Sequence, residues 1–481
     1  MPLSALGLLA PGDPAVRGLT ADSRAVRAGF LFAALPGSRA HGADHAGAAA
    51  AAGAAAILTD AAGAARIGAG VPVVVADDPR AALARAAAAW FGAQPEVVVA
   101  VTGTNGKTSV ASFTRQIWEA LGLPAASLGT VGVEGAFSAR TAHTTPDPVE
   151  LHRLLAAMAG AGVAHCAMEA SSHGLEQRRL DGVRLRAAAF TNFTQDHLDY
   201  HESFAAYFAA KAGLLGRVLP PGGCAVVDLD GARGAEVSAI ARARGQEVIG
   251  VGAAEGADLR ILGARPAEAG QTLRLSWRGA ARQVEVPLIG AFQASNVAAA
   301  AALAIGSGTA AEDALGALPH LRTVRGRMEL AARRADGGAL YVDYAHTPDA
   351  VAAALRSLRP HVMGRIVAVI GAGGDRDRGK RPLMGAAAAA HADAVIVTDD
   401  NPRGEDPAAI RAAVMAGAPG AAEVGDRAEA ILRGAAMLGP GDALLIAGKG
   451  HETGQEVAGT VHPFDDAEQA SLAVAALEGR A

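Results

Sequence analysis

The sequence predicts an α/β protein of three domains: a small N-terminal α/β domain, a central P-loop ATPase-like domain built on a parallel sheet, and a C-terminal Rossmann-like α/β domain. Three observations predict it. Apolar, β-branched runs alternate with alanine-rich stretches of helical spacing, the pattern of repeated strand-loop-helix units. The length of 481 residues exceeds what one hydrophobic core ordinarily organises. The chain also changes character near residues 91 and 322, giving expected domains of 1–91, 92–322 and 323–481.

The first domain ends in an alanine-rich helix closing at Trp90 and Phe91, followed by GAQPE. In the second, strands are expected at Val97 to Val101, Val163 to Met168 and Ala187 to Thr191, with a last helix over Ala311 to Leu321. In the third, strands are expected at Leu340 to Val342, Ile366 to Ile370, Ala394 to Thr398 and Ala443 to Ala447. Ligands of open α/β sheets bind beyond the carboxyl ends of strands, so the loops after these runs are the candidate sites.

Composition narrows the function classes. Hydrophobic residues make up 51% and charged residues 19%, a globular balance. A formal charge of -5 gives no global attraction to nucleic acid or to an anionic membrane, so neither is an expected partner. The opening MPLSALGLLAPG has no basic segment and no apolar stretch reaches spanning length, so neither a signal peptide nor a transmembrane helix is expected. Cys166 and Cys224 have no CxxC spacing, which argues against a disulfide framework or a zinc site and suits a reducing compartment.

The run VVVAVTGTNGKTSV (97–110) reads as a buried strand, a glycine loop and a helix whose apolar face carries Val110, Phe113, Ile117, Trp118 and Leu121. Such a loop turns backbone N–H groups toward a phosphate, and the helix N-terminus adds a favourable dipole. Gly103, Thr104, Asn105, Gly106, Lys107, Thr108 and Ser109 are therefore candidate ATP ligands, with Lys107 reaching the β and γ phosphates and Thr108 ligating Mg2+. Val101 stands where the strict GxxxxGK[ST] pattern has its first glycine, and Gly103 supplies the turn instead. On its own the loop specifies ATP or GTP and leaves kinase, ATPase and ligase open.

Two further strand-end loops, EASSHGLEQRR after Met168 and NFTQDHLDYH after Thr191, place Glu169 and His197 where each could hold magnesium against the phosphates. GTNGKT, EASSHGL, TNFTQDHLDYH and Lys211 together resemble the Mur ligase family. The C-terminal motifs resemble its diaminopimelate-adding members, and the likeness spans almost the whole chain.

That resemblance implies a cytoplasmic enzyme of peptidoglycan synthesis that uses ATP to phosphorylate a carboxylate of UDP-MurNAc-L-Ala-D-Glu. The amine of meso-diaminopimelate then captures the acyl phosphate. It implies Lys107, Glu169, His197 and Lys211 as catalytic groups, and Thr108, Glu169, His197 and a carbamylated Lys211 as metal-site residues. It implies precursor contacts from Ser23, the segment 38–40, Thr144, Thr145, Ser171, Gln177 and Arg179, and further ATP contacts from Asn296, Arg327, Asp343 and His346.

In the third domain GAGGDR lacks the last glycine of a dinucleotide fingerprint, which sets NAD aside. The resemblance instead gives Arg376, Asp400, Asn401, Arg403, Gly448 and Glu452 as the diaminopimelate site. The far end of diaminopimelate carries both a carboxylate and an ammonium, so cation and anion must stand together there. Arg403 with Arg376 would take the carboxylate and Glu452 the ammonium. A monomer is the expected working form. A lysine-adding relative, a folylpolyglutamate synthetase and a non-catalytic P-loop binding protein are the alternatives.

Overall fold

In a computed structural model, which describes residues 1–479 other than 38–39, 69, 195–199 and 268–269, the chain builds three principal sheets in succession, each with its own core. The first is a four-stranded parallel sheet in chain order, Gly18–Thr20, Phe30–Ala33, Ala56–Thr59 and Val73–Val75. Helix Pro79–Phe91 buries Leu83, Ala86 and Ala87 in the same core as Leu31 and Leu58. Asp78 caps its start by accepting from Ala81 N at 3.0 Å, and Pro79 occupies the first turn, where a missing N–H costs nothing.

The second sheet has ten strands, with Val97–Thr102 held between His165–Glu169 and Leu185–Phe190 in parallel register. Side chains of a strand point alternately to its two faces, and here both faces are covered. Val99 and Val101 pack against Val110 and Phe113 of helix Lys107–Ala120 and Val297 of helix Gln293–Gly306. Val98 and Ala100 pack on the opposite side with Leu151 and Leu155 of helix Pro148–Gly160. One end of the sheet is an antiparallel meander, Leu259–Ala267, Gly270–Trp277 and Ala280–Val286, which the sequence reading did not anticipate.

The third sheet runs in the order Glu329–Arg333, Ala339–Asp343, Ala443–Ala447, Ile366–Ile370, Ala394–Val397, Ala422–Glu423, parallel except for its first strand. Because the parallel strands all end on one side, the loops after Asp343, Ile370, Val397 and Ala447 emerge together. Arg427 and Asp466 form a forked ion pair, at 2.7 Å on both arms and with both side chains fully buried, that ties the last two long helices together. Among the described residues no helix is long and apolar enough to cross a membrane.

Candidate active site

Glycine is required in two places by the loop that follows Val97–Thr102. Gly103 has φ 147° and Gly106 φ 87°, in the region that side chains disfavour. A methyl group at Gly103 would collide with the Thr191 hydroxyl, and one at Gly106 with the side-chain oxygen of Asn296. The loop is pinned from the next strand end. Asn105 N donates to Asn192 Oδ1 at 2.8 Å, Asn192 Nδ2 returns to Asn105 O at 3.1 Å, and the Thr191 hydroxyl donates to the same carbonyl at 2.7 Å. Asn192 thus shapes the loop, a role the motif scan did not assign.

Lys107 opens helix Lys107–Ala120 and folds its ammonium back over the loop, donating to Gly103 O at 3.0 Å and Thr104 O at 2.9 Å. Lys211, on helix Phe204–Gly213, is buried and donates to the same Gly103 oxygen at 2.7 Å, with its Nζ 4.7 Å from the centre of the Tyr207 ring. Glu169 closes strand His165–Glu169. Its Oε1 accepts from Thr130 N at 2.7 Å and its Oε2 from the Thr130 hydroxyl at 3.2 Å, so Thr130 sets the carboxylate's orientation. Thr144 reaches the Thr130 hydroxyl at 3.0 Å. His197 lies outside the described residues, as do Ser38 and Arg39.

The third domain completes this cleft. Arg327 Nη2 donates to the Thr108 hydroxyl at 2.9 Å, and its guanidinium lies 4.4 Å from the Tyr344 ring centre, a cation–π stack. Asp343 accepts from Met328 N at 2.7 Å and Ala345 N at 2.9 Å, and burial pushes its carboxyl up to about 6. The cleft holds about 390 Å³ and is lined by Thr104 to Ser109, Thr130, Thr144, Glu169, Ser171, Lys211, Asn296, Arg327, Asp343 and His346. Asp228, to which the sequence assigns no role, also lines it, its carboxyl pushed up to about 6 by burial.

A second cavity, of about 640 Å³, lies between the strand-end loops of the third sheet and is lined by Arg376, Asp400, Asn401, Arg403, Gly448 and Glu452. Tyr344 and His346 line both cavities, so the two adjoin. Arg403 sits at φ 53° with Nη1 donating to Gly374 O at 2.8 Å and Nε 3.3 Å from Glu456 Oε2. Asn401 is heavily engaged: Nδ2 donates to Glu452 Oε2 at 2.8 Å while Oδ1 accepts from Lys449 Nζ and Glu456 N, both at 2.9 Å. Burial, then the charge of Asp400, raises the Glu452 carboxyl above the usual carboxylate range. Lys449 and Glu456 carry no motif weight of their own, which is why sequence reasoning passed over them.

Four expected precursor ligands are placed elsewhere than in these walls. Thr145 is buried and bridges two loops, donating to Glu169 O and accepting from Ser171 N, both at 3.0 Å. Arg179 donates to Thr145 O at 2.5 Å and to Gln177 Oε1 at 2.8 Å, and Gln177 Nε2 donates to the Tyr200 hydroxyl at 2.9 Å. These three side chains therefore brace the loop behind Ser171, because the turn leaves its carbonyls in need of donors. Ser23 sits in the short turn Ser23–Ala25 of the first domain, half-buried, and lines neither cavity.

Magnesium bound to a nucleotide retains waters and phosphate oxygens and needs few protein ligands. Among the described residues no three His, Cys, Asp or Glu side chains cluster as a self-sufficient metal site. The donor set fits the phosphate-assisted kind instead: a hydroxyl at Thr108 and a carboxylate at Glu169 border one cleft.

Comparison with known proteins identifies the family. Family models match in chain order: Mur ligase family, catalytic domain, over residues 15–91; Mur ligase middle domain over 101–304; and Mur ligase, glutamate ligase domain, over 326–450. The UDP-N-acetylmuramoyl-L-alanyl-D-glutamate--2,6-diaminopimelate ligase of Caulobacter vibrioides is 53% identical over 474 residues, 97% of this chain and 96% of that one. The protein of the same name from Brucella melitensis is 50% identical over 472 residues, with the same coverage of 97% and 96%. A solved structure of a ligase of that name is 35% identical, superposes with a TM-score of 0.69, and covers 96% of this chain and 95% of that one.

A phosphate loop whose cleft opens onto a charged cavity in a neighbouring domain suits a ligase, a class that must bring an activated acid to an amine, and the matched families are ligases. The chain belongs to the Mur ligase family.

Proposed function

We propose that this protein is an ATP-dependent ligase that adds meso-2,6-diaminopimelate to UDP-N-acetylmuramoyl-L-alanyl-D-glutamate in peptidoglycan synthesis, releasing ADP and phosphate. The observation that carries the reading is the junction of the two cavities at Tyr344 and His346. Phosphoryl transfer in one and amine delivery from the other then need no diffusing intermediate. The relatives named for this reaction support it over nearly the full chain.

A carboxylate is a poor electrophile and repels ATP, so catalysis begins with charge neutralisation. Lys107 and the helix N-terminus hold the phosphates, while Asn192 and Thr191 keep the loop's amides aligned. One carboxylate oxygen of the precursor attacks the γ-phosphorus and the bond to ADP breaks. The free amine of diaminopimelate then attacks the acyl carbon, phosphate departs with the C–O bond electrons, and the amine gives up its proton. Arg327, reaching from the third domain to Thr108, keeps the cleft closed against water that would hydrolyse the acyl phosphate. Mg2+ would be held by Thr108, Glu169, His197 and a carbamylated Lys211, supplying positive charge to the transferring phosphoryl group.

In this reading residues 1–91 serve the UDP-linked precursor, 92–322 serve ATP and 323–481 serve the amino acid. Ser23, Thr144, Ser171, Gln177 and Arg179 are the candidate precursor contacts that remain open to solvent or cleft, Thr145 being buried, and Arg403 with Arg376 meets the distal carboxylate. The nucleotide-linked substrates suit a reaction in the cytoplasm, and the working form we propose is a monomer. The test is phosphate release by purified protein with each substrate omitted in turn, with product identified by mass. Tripeptide formed only when ATP, the UDP-dipeptide and diaminopimelate are all present supports the reading; phosphate release indifferent to the amino acid contradicts it.

A further inference from the structure

Lys449 follows the last parallel strand of the third sheet and is completely buried, at 0% exposure, beneath Gly448 and Glu452 of the second cavity. Its Nζ donates to Asn401 Oδ1 at 2.9 Å and stands 3.7 Å from Glu452 Oε2 and 3.9 Å from Asp400 Oδ1. An ammonium is buried at a cost unless opposite charges surround it, so this one has a reason to be there. Nearby, Arg427 and Asp466 neutralise each other. Lys449 is the cation nearest to two carboxylates, Asp400 and Glu452, beside an open cavity, with Arg403 and Arg427 acting on them from farther off.

We propose that Lys449 is a positioning residue that keeps Glu452 ionised and helps to orient Asn401, so that the cavity offers a charged carboxylate to the distal ammonium of the incoming amino acid. This rests on the ligase reading above. Without Lys449, Glu452 would face Asp400 and the Tyr344 ring, offset only by the more distant Arg403, itself beside Glu456, and Arg427, itself paired with Asp466. Two carboxylates that flank one buried cation raise each other's pKa once that cation is removed, which favours the protonated form. A protonated Glu452 has no charge to offer an ammonium. Asn401 would also lose one of the two donors to its Oδ1, leaving Glu456 N alone to hold the amide that donates to Glu452.

The experiment is steady-state kinetics of Lys449→Met and Lys449→Gln with ATP, UDP-dipeptide and meso-diaminopimelate between about pH 6.5 and 8.5, a window above ordinary carboxylate titration. Both variants are expected to raise KM for diaminopimelate about tenfold or more at neutral pH, the scale of a lost charge-assisted contact, while KM for ATP and for the precursor stay unchanged. That raised KM should fall as pH rises and Glu452 deprotonates, whereas the wild-type KM stays flat. Gln keeps a donor for Asn401 but no charge, so a Gln variant with wild-type KM overturns the proposal. A pH-independent rise in KM for all three substrates also overturns it, since that is the mark of a structural filler. Should neither variant fold, the wild-type profile decides: a flat KM supports the proposal, and a KM falling with pH overturns it. Failure of the ligase reading shows separately, as absence of tripeptide from the wild-type enzyme.

Discussion

The ammonium groups of Lys107 and Lys211 meet at one oxygen: the carbonyl of Gly103 accepts from the first at 3.0 Å and from the second at 2.7 Å. One cation comes from the start of the phosphate-loop helix and the other from a helix more than a hundred residues later. Bringing like charges together is unfavourable, and addition of carbon dioxide to Lys211 would turn that contact into one of opposite charges.

Lys211→Ala is therefore expected to lower kcat by about 100-fold or more, the scale of a lost electrostatic group at a phosphoryl-transfer site. Added formate or acetate should restore part of the loss by standing in for a carbamate. Lys107→Ala should lose as much and gain nothing from carboxylates. Phosphate-release assays with and without the additives check both.

Gly106→Ala combines a left-handed φ of 87° with a collision against Asn296. KM for ATP should rise by about tenfold, since the loop can accept the methyl only by moving. Gly122→Ala is the control. It has φ 75° but open space around the new methyl, so it should lose about 1 kcal/mol of stability with its kinetics intact.

The buried pair of Arg427 and Asp466 has no solvent to fall back on. Asp466→Asn, which strands the guanidinium, should cost about 3–5 kcal/mol in thermal or denaturant unfolding. Replacing both partners by Leu and Met should cost far less, because no isolated charge is left behind.

His152 is buried between helices and pushed down to about 4 by desolvation, with Arg184 adding to the effect. Below the ordinary histidine range the unfolded chain takes up a proton that the folded chain refuses. Stability is thus unaffected above pH 6.5 and falls as pH drops from there toward 4. His152→Leu should flatten that decline by as much as about 3 kcal/mol at its lower end. His451, also pushed down to about 4, leaves its own share of the decline in place. Unfolding curves at stepped pH read both.

The parts legible in the sequence are those where one residue type in one local pattern suffices. Val97 to Val101 followed by GTNGKT identifies strand, loop and helix without tertiary information, and the parallel strands of the third domain are read equally well from short apolar runs. The antiparallel meander at 259–286 escaped because its two outer strands are largely exposed and carry charges, and the short alternation LRLSW at 273–277 in the middle strand includes no long apolar run.

Within the site, Glu169 is visible at a strand end, but Thr130, which aims it, lies 39 positions away and is found only in three dimensions. Thr145 shows the converse situation. A hydroxyl in HTTPD looks available for a ligand, yet the turn needs it for the Glu169 carbonyl. Lys449 looks like a surface lysine in a glycine loop, and only its burial reveals a counter-charge.

The claim that binds these observations is that Arg403 and the acidic wall opposite it select an amino acid whose far end carries a carboxylate as well as an ammonium. The direct measurement offers wild type and Arg403→Ala an equal mixture of meso-diaminopimelate and L-lysine, with ATP, magnesium and the UDP-dipeptide, and reads both tripeptides by mass. Wild type should form the diaminopimelate product almost exclusively, and Arg403→Ala should lose about 100-fold of that preference, the scale of a lost bidentate carboxylate contact. Equal use of the two amino acids by the wild-type enzyme, or a preference that survives removal of the arginine, would contradict it.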